Sequence, residues 1–184
     1  MEFRFDLDKS IAATALVIQE AGGKYNLLHL VKTLYYANRL FLIEYGRTIT
    51  GDRLVSMGMG PVVSQTYDLL KGSAAADPSN LAKWRMFISP REGNSVRIVR
   101  LPDFGYLSEQ EAQFVKNAYV VISGVKTRIS DWSHAAFPEW KDPQGGSKDI
   151  DPADILRIEH KAPEEIAEIE EEVGCVNWLK SIAQ

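Results

Sequence analysis

Apolar residues recur at helical spacing over most of the chain. Residues 9–21 carry Ile11, Ala15 and Ile18 on one face, and Gly22-Gly23 closes the run. A second helix is predicted over residues 27–45, capped by Asn26. Leu27, Leu30, Val31, Leu34, Asn38, Phe41 and Tyr45 form its stripe, which Leu28, Tyr35 and Leu42 widen. A helix apolar over most of its circumference belongs at the centre of its domain. Further helices are predicted from Gly60-Pro61 to about Lys71, behind the capping box Ser108-Glu109-Gln110-Glu111 to about Gly124, over residues 130–136, and from Glu164 onward. Ile155 to Ile158 reads as one further turn.

Between the helices the period changes. Phe3, Phe5 and Leu7 alternate with polar residues, as in a short strand or an ordered arm ahead of an Asp8 cap. Residues 53–59 alternate through Val55, Met57 and Met59. Residues 84–89 and 95–101 read as a hairpin around Pro90-Arg91-Glu92-Gly93-Asn94. Residues 73–80 and 141–154 read as loops. The expectation is an α+β fold: a mostly helical single domain with a small antiparallel sheet of about three strands. Residues 1–140 form its body, and residues 141–184 add a polar loop and an acidic amphipathic helix packed on it.

Residues 34–61 concentrate the changes of backbone direction. Gly46 stops the central helix, Gly51 and Asp52 turn the chain, and Gly60-Pro61 redirects it. Asp52 is expected to bond nearby N–H groups or to pair with Arg47 or Arg53. On the central helix His29, Lys32, Tyr36 and Arg39 form a polar strip. It is either a solvated edge or a surface that faces a partner, since Tyr and Arg are favoured at interface hot spots.

Composition narrows the functional classes. Hydrophobic residues make up 45% of 184, enough for a core, and the formal net charge is −4. Basic residues are scattered among acidic ones, which disfavours phosphate-led nucleic-acid binding. The lone Cys175 excludes an internal disulfide and a cysteine zinc cage. No signal-like leader or spanning segment is evident, so a cytoplasmic location is expected. Gly58-Met59-Gly60 is not a dinucleotide loop, because position 63 is Val63 and Pro61 lacks the N–H a phosphate would use. His29, His134 and His160 lack metal-site spacing, and no cofactor is expected. Asp131, Ser133 and His134 hold the residue types of a triad, but helix neighbours diverge; Asp131 and His134, three apart, can share a face as a local tie. Glu139 could act as a general acid only opposite a second carboxylate. The run of glutamates over residues 164–172 suits the positive end of a helix dipole, or an acidic docking surface.

Tyr35-Tyr36-Ala37-Asn38-Arg39, then Glu44 to Arg53 (EYGRTITGDR), then Gly60-Pro61-Val62, resemble the signature of the Panacea, or SocA-like, antitoxin domain family, some of whose members are described as phage-associated. Ser133-His134 and Pro138-Glu139-Trp140 resemble it more weakly. The similarity spans roughly residues 13–140. Asn38 and Thr48 stand where Asp and Pro are commoner in the family. The resemblance implies an antitoxin that neutralises a cognate toxin, encoded by an adjacent gene, through direct protein contact and without catalysis. The contact candidates are Tyr36 and Arg39 from the helix strip, Arg47, Asp52 and Arg53 from the turn cluster, and His134 and Trp140 from the later segment; Gly46, Gly51, Gly60 and Pro61 form the motif turn. The alternatives are a proteolytic adaptor, or a small enzyme using the Asp52/His134 region; a DNA-binding regulator is disfavoured by charge.

Overall fold

A computed structural model describes residues 1–182. Asp6, not Asp8, caps the first helix: its Oδ1 accepts the Lys9 N–H at 3.0 Å, and α1 runs over Leu7–Glu20. The residues before it form an arm, held where the Asp6 N–H donates to the Thr50 carbonyl. After the two glycines comes β1, Lys24–Asn26. Asn26 Oδ1 then accepts the N–H groups of Leu28 and His29 and opens α2, Leu27–Tyr45. Gly46 ends it in the left-handed conformation, with φ 67°.

The chain turns into β2, Leu54–Met57, and returns as β3, Gly60–Val63. Gly60-Pro61 was expected to open a helix. Instead Pro61 pairs with Ser56, and α3 starts at Ser64 and runs Ser64–Lys71. A proline fits there because β3 is an edge strand, where its missing N–H breaks no ladder bond.

Asp77-Pro78 starts a helix that the loop reading missed: Asp77 Oδ1 accepts the Asn80 N–H, and Pro78 fills the first turn of α4, Pro78–Arg85. Trp84, expected in a strand, is therefore on a helix and fully buried. The expected long hairpin is reduced to the isolated bridges Ile88–Ile98 and Glu92–Ser95 with a few backbone hydrogen bonds between its arms, and β4, Ser95–Arg97, pairs with β1. Then come α5, Glu109–Ser123, with the Ser108–Glu111 capping box formed, and α6, Ile129–Ala136. The 141–154 segment holds β5, Ser147–Asp149, and the start of α7, Pro152–Ile158; α8 is Pro163–Ile182.

The fold is α+β and mostly helical, with small antiparallel sheets. Strand membership differs from expectation: one sheet runs β3-β2-β5 and the other is β1-β4. α2 lies at the centre, packed on α1, α5, β3 and α7. The core it anchors includes Leu30, Leu34, Tyr35 and Phe41 of α2, Trp84, and Ile155, Leu156 and Ile166 from beyond residue 150. The apolar face foreseen for α8 is buried only in its first half: Ile166 is in the core and Ile169 packs against it, whereas Val176, Leu179 and Ile182 are exposed.

Candidate functional site

The polar strip of α2 is not a solvated edge. Lys32 and Arg39 are buried and His29 and Tyr36 half-buried: residues 132–139 meet Tyr36 and Arg39, whereas His29 lies against Asn26 and Tyr25. Tyr35 donates its hydroxyl to Glu139 Oε1 at 2.6 Å, and Arg39 Nε donates to the same oxygen at 2.8 Å. Arg39 Nη2 also reaches Glu139 Oε2 and Glu159. Burial opposes the Arg39 charge, but hydrogen bonds and attraction from both glutamates outweigh it and raise its pKa. Burial and the adjacent Glu139 push the Tyr35 phenol well above its ordinary value. Glu139 thus meets a second carboxylate, Glu159, as partners of one guanidinium that clamps the 137–140 segment and the end of α7 onto α2.

Lys32 pairs with no carboxylate among the described residues. Its Nζ donates to the Pro61 carbonyl at 2.7 Å, and burial lowers its pKa to about 7. Ser133 lies across Gly60 from it: a Cβ at Gly60 would fall 2.1 Å from Ser133 Oγ and 2.9 Å from Lys32 Nζ, so only glycine fits. Ser133 is fully buried and donates to the Ser130 carbonyl. The foreseen Asp131–His134 tie is not formed. Asp131 accepts from Ser130, while His134 stacks on Trp140 with ring centroids 3.8 Å apart. Trp140 Nε1 donates to the Met57 carbonyl, and Tyr36 meets Trp132 and Phe137 edge-on or tilted. Half-buried Tyr36, Trp132, His134 and Trp140 lie along the α2–α6 seam and the segment that follows it.

The turn cluster is built differently. Asn38 joins it to α2: its Oδ1 accepts from the Thr50 N–H and hydroxyl, and its Nδ2 donates to the Leu34 carbonyl. An aspartate at position 38 could accept the first two bonds but not donate the third. Asp52 pairs with neither Arg47 nor Arg53. Val63, the cap residue of α3, has no side-chain oxygen, and Asp52 supplies the cap from across the turn. It accepts the Gln65 and Thr66 N–H groups, each at 2.8 Å, and the Thr66 hydroxyl. Burial raises the Asp52 pKa although these bonds oppose it. Arg47 covers the Phe41 ring and, with Lys9, pairs with the buried Glu111. Burial would raise Glu111; Lys9, the Ser108 N–H and Arg47 outweigh it and hold the carboxyl below its ordinary value. Arg53 is exposed beside Asp149. A cleft of about 170 Å³ lies between the arm, the 45–51 turn and α8, with Phe3, Lys9, Tyr45, Arg47 and Val176 in its wall.

The candidates therefore divide. Arg39 and Asp52 are interior braces. Tyr36, His134 and Trp140 are partly open on one region, and Arg47 and Arg53 are exposed elsewhere. Glu111 and Glu159 were missed as site residues, and both act through contacts made across more than sixty residues of chain. Among the described residues no His/Cys/Asp/Glu group could hold a metal, and no helix is long and apolar enough to cross a membrane.

The family model for the antitoxin SocA-like, Panacea domain matches residues 30–141, from α2 through the segment carrying Glu139 and Trp140. The chain belongs to this family. The matched span contains the Arg39–Glu139 clamp, the Lys32–Pro61 bond and the Asp52 cap, while α7 and α8 lie outside it. No curated protein and no solved structure matches the chain.

Proposed function

We propose that this chain is a cytoplasmic antitoxin that neutralises a cognate protein toxin by holding it in a stoichiometric complex, without chemistry on the toxin or its target. Membership of the SocA-like antitoxin family over residues 30–141 carries the reading. The geometry supports it in two ways. Ser133, the hydroxyl of the triad-like cluster on α6, is fully buried, and Asp131 makes no bond to His134 among the described residues. Buried clamps hold α2, the β2–β3 hairpin and the 137–140 segment in one arrangement, so partly exposed Tyr36, His134 and Trp140 are pre-ordered for contact. Arg47 and Arg53 extend the contact surface, and Arg39 and Asp52 support it from within. The toxin is encoded by an adjacent gene, and an interface of about 1,600 Å² in total is enough to occlude its working surface.

The test is co-expression of this chain with each neighbouring open reading frame, scored by growth and by co-purification. One neighbour is expected to be toxic alone, harmless with the chain, and recovered in complex with it. If every toxic neighbour stays toxic and none co-purifies, the reading fails.

A further inference from the structure

α8 shows its outer face to solvent in an ordered pattern. Glu164, Glu168, Glu171, Cys175, Trp178 and Ile182 are all exposed and follow one another at steps of four and three residues, the spacing of a helix-pairing seam. The opposite face, with Ile166, Ile169, Val173 and Asn177, turns toward the body, and Asn177 Nδ2 donates to the Glu2 carbonyl. The outer seam is acidic for two turns and apolar after that. Trp178 and Ile182 are 62% and 63% exposed, and Leu179 beside them 54%.

Lys161 pairs with Glu165, and no cation among the described residues pairs with Glu164, Glu168 or Glu171, so the acidic half of the seam carries three carboxylates without a counter-charge.

We infer that the outer face of α8 is a docking seam for a helix of a different protein, one presenting basic residues along half its length and an apolar stripe along the rest. This rests on the antitoxin reading and names the element that selects the toxin. Charge complementarity singles out that occupant. A second copy of this chain lying parallel would set Glu164, Glu168 and Glu171 against themselves. Lying antiparallel along the full seam, it would set Glu164 on Ile182 and Glu168 on Trp178, desolvating carboxylates without a cation. An anionic bilayer would repel the same face, since helices that lie on membranes carry lysine and arginine there. α8 also lies outside the family-matched span, so it can differ between relatives that bind different toxins without disturbing the shared clamps.

The experiment uses the full chain, a Trp178→Asp/Leu179→Asp variant and a Glu164→Lys/Glu168→Lys/Glu171→Lys variant, each titrated against the toxic neighbour's purified product. Both variants alter exposed side chains and are expected to melt within about 2 °C of the wild type. The first is expected to raise Kd about thirty-fold or more and to lose rescue; the second is expected to raise Kd at least tenfold at low salt. The free chain is expected to sediment as a monomer at ~100 µM, well above typical specific Kd values. If the wild type binds and rescues and both variants match it, the seam is wrong and the antitoxin reading stands. If the wild type neither binds nor rescues, both fall. A dimer of the free chain abolished by the Trp178/Leu179 change, or Trp178-dependent binding to phosphatidylglycerol vesicles, also overturns the inference.

Discussion

Lys32 Nζ donates to the Pro61 carbonyl at 2.7 Å, tying the middle of the central helix to an edge strand that is short of a donor. The ammonium is buried, and no carboxylate among the described residues pairs with it, so its folded pKa, about 7, lies well below that of an exposed lysine. Between pH 7 and 10.5 the unfolded chain therefore binds one proton more than the folded one, and stability rises with pH. Urea unfolding of the wild type is expected to gain roughly 3 kcal/mol from pH 7 to 9.5 from this group. Lys32→Met is expected to lack that rise; an unchanged slope would show that Lys32 is not the titrating group.

Glu111 gives the opposite pH dependence. Its folded pKa is depressed, so its stabilising contribution is present above the unfolded value and lost as pH falls through the folded one. Glu111→Gln is expected to flatten the loss of stability below about pH 4.5, and to lower stability at pH 7 by about 1–3 kcal/mol. Thermal melts of both proteins from pH 3 to 7 check this.

Removing Glu139 leaves the buried Arg39 with Glu159 alone and the Tyr35 hydroxyl without an acceptor. Glu139→Ala is expected to cost roughly 3 kcal/mol in urea unfolding. Tyr35→Phe removes one neutral donor to a charged acceptor and is expected to cost about 1.5 kcal/mol.

Two glycines with positive φ separate conformational strain from close packing. A Cβ at Gly51 would sit 1.9 Å from the Arg4 carbonyl oxygen, whereas one at Gly22 would meet nothing within 4 Å. Gly22→Ala is expected to cost about 1 kcal/mol, from the left-handed backbone alone. Gly51→Ala must also displace the arm and is expected to cost about twice that or more. Equal melting temperatures would mean the arm does not pack on the turn.

The helices were legible where local signals agree: Asn26 and Gly46 bound α2, and Ser108 with Glu111 opens α5. Two local signals are ambiguous. Asp77-Pro78 sits in a polar stretch that reads as loop yet has cap-and-first-turn chemistry, and Pro61 suits a helix start but an edge strand accepts proline equally well. The site was less legible because its bonds are long-range. Nothing at positions 32, 39 or 52 tells a solvated charge from a buried brace; that depends on Pro61, Glu139, Glu159 and Thr66 arriving from elsewhere. The Tyr35 to Arg39 and Glu44 to Arg53 motifs nonetheless pointed to the family, which the match over residues 30–141 shows.

The most direct test of the central claim is a titration. The purified chain is added in steps to a fixed amount of its toxin, and residual toxin activity is read after short and long incubation. Binding without chemistry is expected to give a linear fall to zero at a fixed molar ratio, the same at both times. Loss of toxin activity that continues with time at a small fraction of that ratio would mean each molecule acts repeatedly, and would contradict it.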